Sequence, residues 1–271
     1  MPEANTRDRP ITVSALAVLG AWLFVVLPSI YLPEGAFLSW LQRWQTLVGA
    51  TVAMIAAALA YYNTTRSIKH ARQIDSEKRA RKHAALRAVL PLALSDITRY
   101  AAATVNELKE MIERCDREAL PKNSATSALS DEAVPSKSLD VLAEFIEYSE
   151  AMDARLVETT LARIQIHQAR LQSLLVSDRS AHGVVTRHQL ESLVVDAAII
   201  YAGASSFFAY ARRAAEHPPI ELVWDSVGAA LHNMNVWADA YPRVHEDLSR
   251  REKASPSATE MSTYSPKAGA R

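Results

Sequence analysis

The sequence predicts an all-α protein in which two transmembrane helices, forming a hairpin, precede a cytoplasmic antiparallel helical bundle of about four helices. Three observations lead there. Two long uncharged windows, 10–33 and 44–65, lie within the first quarter of the 271-residue chain. A run of Lys and Arg follows the second window. Beyond it, apolar residues recur at three- and four-residue spacing, in a chain with only seven glycines and many good helix formers.

The formal net charge is zero, but it hides two opposed blocks. Residues 63–90 carry eight Lys/Arg against Asp75 and Glu77, while residues 91–253 carry 17 Lys/Arg against 24 Asp/Glu. A basic neck therefore precedes an acidic body. The single cysteine, Cys115, excludes an intrachain disulfide and a Cys-based metal cluster.

Residues 1–10 form a short N-terminus. The first span, 11–32, "ITVSALAVLGAWLFVVLPSIYL", would rise about 33 Å as a helix, against about 30 Å of hydrocarbon. It ends in "PSIYLPEG", a poor cleavage site, so a retained helix is expected rather than a signal peptide. Residues 33–43 are expected as a short external loop. The second span, 44–65, lies between Arg43 and Arg66. Tyr31, Trp40 and Trp44 suit one headgroup level, and Tyr61 and Tyr62 the other. The loop holds only Arg43, whereas the flank after the second span is densely basic, so both termini are placed in the cytoplasm. Neither span contains an ionisable Asp, Glu, Lys, Arg or His, which argues against a transporter or pump. Gly49, Ala53, Ala57 and Ala60 form a small-residue stripe suited to packing the hairpin or to joining copies of the chain.

The neck, 66–90, has polar residues around every face and too few apolar ones for a coiled-coil seam. Arg66, Lys69, Arg72, Lys78, Arg79, Arg81 and Lys82 are candidates for contact with anionic lipid headgroups, beyond fixing topology. Nucleic acid is disfavoured, because no aromatics interleave with the charges.

The cytoplasmic body is expected over 91–253. Pro91 should kink or restart the helix and is the candidate hinge. An apolar face then runs from Ile97 to Cys115, and a Ser-rich linker follows Pro121. A second helix is expected from Ser138 as N-cap to about Val176. Thr186 with Gln189 forms a capping box for a third, with Val185 placed to pack on Leu190. The uncharged run from Ala197 to Ala211 is too short for a comfortable span and reads as a buried helix. A fourth helix is expected from Pro219, carrying Leu222, Val227, Leu231 and Trp237, until Pro242 ends or kinks it. Residues 254–271 read as a disordered tail.

No catalytic, cofactor-binding or metal-ligating set emerges. None of the eight histidines follows a Glu at three residues, and the phosphate-loop, dinucleotide and nucleophile-elbow patterns are missing. His182 and His188 read as solvated. So do Glu144, Glu147, Glu150 and Glu158, while Cys115 reads as a small core residue.

"WQTLVGA" opening an apolar helix, a charged neck, then "ALRAVLPLALSDI" resembles uncharacterised bacterial membrane proteins with an N-terminal two-helix hairpin. The resemblance covers roughly residues 40 to 105. It implies a setting in the bacterial inner membrane and carries no activity, cofactor or site residue. The functional expectation is a non-enzymatic interaction or scaffold module whose partners are membrane lipids and either another protein or further copies of itself. The alternatives are an oligomeric signalling or effector protein with the neck as transmitter, and an enzyme with an unfamiliar site.

Overall fold

The computed structural model describes Val26, Ile30, Tyr31 and residues 33–124, 134–180, 182–255 and 257–259. Among them the regular structure is helical, apart from isolated bridges joining Asp116, Ala119 and Thr186. The chain divides into two units, Met1–Glu77 and Lys78–Arg271. The expected first span, 11–32, lies outside the described residues but for Val26, Ile30 and Tyr31.

Helix α1, Glu34–Arg114, is 81 residues long. It absorbs the expected external loop, because Ala36 N–H bonds the Pro33 carbonyl at 2.8 Å and no breaker follows before Pro91. It also runs through Pro91 without the expected restart. The lost hydrogen bond is tolerated because this stretch is anchored in the interior. Leu86, Leu90, Ala93, Leu94, Ile97, Ala101, Val105, Leu108 and Met111 are all buried at helical spacing. The core face therefore begins at Leu86, within the expected neck.

Helix α2, Ser136–Tyr148, is separate from α3, Ala151–Arg179, where one helix was expected. Ser149 adopts extended backbone between them, and its hydroxyl turns back onto the Phe145 carbonyl at 2.7 Å. The apolar pattern marks the break, for it skips from Ile146 to Met152. Ser138 is not the N-cap. Pro135 holds that position, and Ser138 Oγ instead donates to Asp96 Oδ2 at 2.9 Å, tying α2 to α1.

Helix α4, Arg187–Ser206, starts at the capping box read from the sequence. Gln189 N–H donates to Thr186 Oγ1 at 3.3 Å, and Thr186 N–H to Gln189 Oε1 at 2.9 Å. Among the described residues two helices are long and apolar enough to cross a membrane, and they differ in cover. The apolar window of α1 is unburied, with Trp44, Leu47, Val52, Met54 and Tyr61 exposed, whereas 61 % of the window in Arg187–Ala211 lies inside the protein.

A single turn, α5, Phe208–Ala211, follows, then α6, Trp224–Asn233, and α7, Pro242–Ala254. The expected fourth helix is thus shorter at both ends, and Trp237 lies beyond it. Pro242 begins α7 rather than ending its predecessor, since proline suits the first helical turn. The tail is ordered at its start, and Ser255, Ala258 and Thr259 are buried.

Around α4 pack α3, α6 and α7. Arg87 of α1 closes the end of α5: its guanidinium lies 3.9 Å from the Tyr210 ring centre and donates to the Tyr210 and Ala215 carbonyls at 2.9 and 2.8 Å. This places a cation on carbonyls at a helix C-terminus. α3 comes close to α4 at Gly203, where an added Cβ would sit 2.7 Å from Thr160 Oγ1. Thr160 is buried and stiff, and its hydroxyl donates to the Leu156 carbonyl at 2.8 Å. Gly203→Ala should therefore cost about 1–3 kcal/mol by overpacking. Thermal unfolding checks this: Thr160→Ala added to Gly203→Ala should recover most of the lost midpoint, and a double variant no better than the single one would place the strain elsewhere.

Candidate functional site

The seven basic candidates, Arg66, Lys69, Arg72, Lys78, Arg79, Arg81 and Lys82, all lie on α1 and are exposed. They are not equivalent. At about 1.5 Å per residue, Lys69 and Arg72 lie about 5 and 9 Å along the helix from Arg66. Lys82 is occupied, with its ammonium 2.5 Å from Glu144 Oε1 and 6.0 Å from the Tyr148 ring centre. The hydrogen bond to Glu144 raises its pKa. Gly49, Ala53, Ala57 and Ala60 are exposed, and a Cβ at Gly49 would meet open space. Pro91 sits between buried Leu90 and Leu94, and its carbonyl accepts the Ser95 hydroxyl at 2.8 Å.

A second group, missed from the sequence, lies where α3, α4 and α7 meet. Asp196 of α4 accepts from Arg170 of α3 and, at 2.6 Å, from Arg251 of α7. Arg251 also donates to Asp247 Oδ2 at 3.0 Å and to Ser192 Oγ at 2.8 Å. Arg250 pairs with Asp247. Burial alone would lower the Arg251 pKa, but the carboxylates of Asp196 and Asp247 outweigh it, and the net shift is upward. The partners stand 26 and 55 residues from Asp196. No local spacing announces them.

His167 of α3 lies beside this group. It is 1 % exposed, and neither ring nitrogen has a hydrogen-bond partner. Burial pushes its pKa down to about 4, against an upward pull from Asp196 and a further downward push from Arg170. A signal existed, since His167 falls three residues after Ile164 and four before Leu171, on the buried face.

Two open grooves follow α7. One, of about 400 Å³, is lined by His188, Glu191, Arg243, Glu246, Asp247 and Arg250. The other, of about 590 Å³, includes His245, Ser249 and Lys253. Arg243 is held by Glu118 in a two-pronged pair at 2.7 and 2.8 Å, so much of the wall charge is already matched. Cys115 donates weakly to the Met111 carbonyl at 3.4 Å, and burial pushes its thiol pKa up, which disfavours the thiolate. Glu144 faces Lys82, while Glu147, Glu150, Glu158, His182 and His188 are exposed. Among the described residues no three His, Cys, Asp or Glu side chains are grouped to hold a metal ion.

No protein-family model matches the chain, and no curated protein and no solved structure matches it.

The buried imidazole sets a pH dependence. The folded pKa of His167, about 4, lies below the ordinary 6.5, so between these values the unfolded chain takes up a proton that the folded chain does not. Stability should fall by about 3 kcal/mol as pH drops from about 6.5 to 4, and the loss should level off below that. His167→Leu removes both the titration and the unpaired nitrogens. Thermal unfolding in detergent should find this variant at least as stable at pH 7 and its midpoint far less pH-sensitive. An unchanged acid slope would assign the dependence to other groups.

Proposed function

We propose that the chain is a membrane-anchored interaction module. In this reading two spans, 11–32 and 44–65, form a hairpin in a bacterial inner membrane. The unit from Lys78 is an antiparallel bundle at the cytoplasmic face that binds a protein partner or further copies of the chain. The observation that carries the reading is on α1. Twenty-two residues between Arg43 and Arg66 hold no charge and leave Trp44, Leu47, Val52, Met54, Leu59, Tyr61 and Tyr62 exposed, and the exposed basic run starts directly after them. A span with a positive cytoplasmic flank explains both features together.

Lipid contact then belongs to Arg66, Lys69 and Arg72. A surface potential decays within about a Debye length, near 8 Å in physiological salt, and Lys82 is both farther along the helix and paired. The stripe Gly49, Ala53, Ala57, Ala60 is the face for hairpin packing or self-association. Alkaline phosphatase fused after Trp40 should be active in the periplasm, and fused after Arg81 it should be inactive. The reverse pattern overturns the orientation, and two inactive fusions overturn the hairpin.

A second reading, a signalling protein with the neck as transmitter, is favoured by the continuity of α1 from the apolar window into the core and by the Arg87 clamp on α5. Pro91→Ala separates the two. It restores the N–H missing from an interior turn and should raise stability by about 1–3 kcal/mol, read as a higher thermal midpoint. A scaffold keeps its partner capture unchanged, whereas a transmitter with its pivot here loses or locks its response.

A further inference from the structure

The groove of about 400 Å³ between α4 and α7 holds polar groups that the ion pairs around it leave unused. Its arginines are matched within the fold, Arg243 by Glu118 and Arg250 by Asp247. Three acceptors remain. Glu191 of α4 is 3 % exposed, and its carboxylate has one partner, the Arg187 Nε–H that donates to Oε1 at 3.0 Å. Its Oε2 is buried and has no hydrogen-bond partner. His188 lies three residues before Glu191, which puts the two side chains on one face of α4. Glu246 lies across the groove on α7 and bears on Arg243 through space without pairing with it. Neither His188 nor Glu246 forms a hydrogen bond or ion pair with the described residues.

A buried carboxylate oxygen without a donor is costly, because its lost hydration is not replaced. Three groups that accept, two of them carboxylates, line one groove and ask for a ligand that donates and is positive. An anion finds no unmatched arginine there. A metal ion needs its ligands at about 2.1 Å, and among the described residues no three such side chains stand close enough together. An ammonium bonds its acceptors at about 2.9 Å, so it suits a wider cage, and it brings three N–H donors for three acceptors. The last torsion of a glutamate is broad, so the carboxylate can turn its second oxygen to an entering ammonium while Arg187 keeps the first.

We propose that this groove is an alkylammonium site, with Glu191 at its floor and His188 and Glu246 at its walls. The same chemistry is offered by a lysine side chain of a partner protein and by a small free amine. The site belongs to the body alone; only the lysine occupant rests on the reading of the chain as an interaction module.

The test titrates the full chain in detergent, by calorimetry, with three probes: cadaverine, an acetylated and amidated Gly-Lys-Gly peptide, and the same peptide acetylated on its lysine Nε. At least one of the two amines should bind saturably. The Nε-acetylated peptide should bind at least about tenfold more weakly than its parent, having lost the charge and two donors. Glu246→Gln on the exposed wall should weaken binding about tenfold and leave the thermal midpoint unchanged, and Glu191→Gln should weaken it further. Saturating amine should raise the midpoint of the wild type and not that of Glu246→Gln, a readout that stands even where Glu191→Gln fails to fold. Binding of cadaverine alone assigns the site to a free amine, and tighter binding of the lysine peptide assigns it to a partner. Neither outcome touches the orientation tested by the phosphatase fusions. The proposal is overturned if neither amine binds, if the Nε-acetylated peptide binds as well as its parent, or if Glu246→Gln binds like the wild type.

Discussion

Helix α4 has almost no face to give to water. From Leu190 to Ala204 only Ser192, Asp196 and Tyr201 escape full burial. A helix apolar nearly all round must be covered nearly all round, and α3, α6 and α7 are the cover. The narrow stripe through Ser192 and Asp196 is where this cover has its seam. There Arg170 reaches in from α3 and Arg251 from α7, and both close on Asp196. One carboxylate thus sets the register of two flanking helices on the central one. Replacing the network with apolar side chains of like volume need not cost stability, but removing Asp196 alone strands two cations.

The same enclosure explains His167. It faces the interior from α3 near the seam, but the arginines that surround Asp196 leave no acceptor for its ring nitrogens. A neutral imidazole without partners is tolerable, whereas a buried imidazolium beside Arg170 is not. The cationic side of the seam and the desolvated ring therefore push in one direction, and only Asp196 opposes them.

What the sequence made legible was what local rules govern. The Thr186–Gln189 box, the helical content and the burial of α4 rest on spacings of three and four residues. The misreadings have equally local causes. Ser138 looked like a cap because its hydroxyl had no visible rival use, and its partner, Asp96, lies 42 residues away. Pro91 and Pro242 were each expected to kink or interrupt a helix, yet Pro91 lies inside a continuous one and Pro242 opens one. The tail was read as disordered from composition, which carries no information about the Leu222 N–H and carbonyl that bond Thr259 and Ala258 at its start, while 260–271 lie outside the described residues. Of the functional candidates, the neck was visible as charge, but the pairing of Lys82 with Glu144 was not, since it spans two helices.

The neck also poses a stability question of its own. Between Arg66 and Arg81 the helix is exposed at every residue and carries no apolar face. An isolated helix of that length is marginal in water, because forming the first turn costs conformational entropy that one hydrogen bond does not recover. Propagation from an existing end carries no such cost. Here the helix is already formed on both sides: in the apolar window up to Thr65, and from Lys82 and Arg87 onward, where Glu144 and the Tyr210 and Ala215 carbonyls hold it. The neck therefore has to be helical only by continuation. Its sequence is free to be basic on all faces.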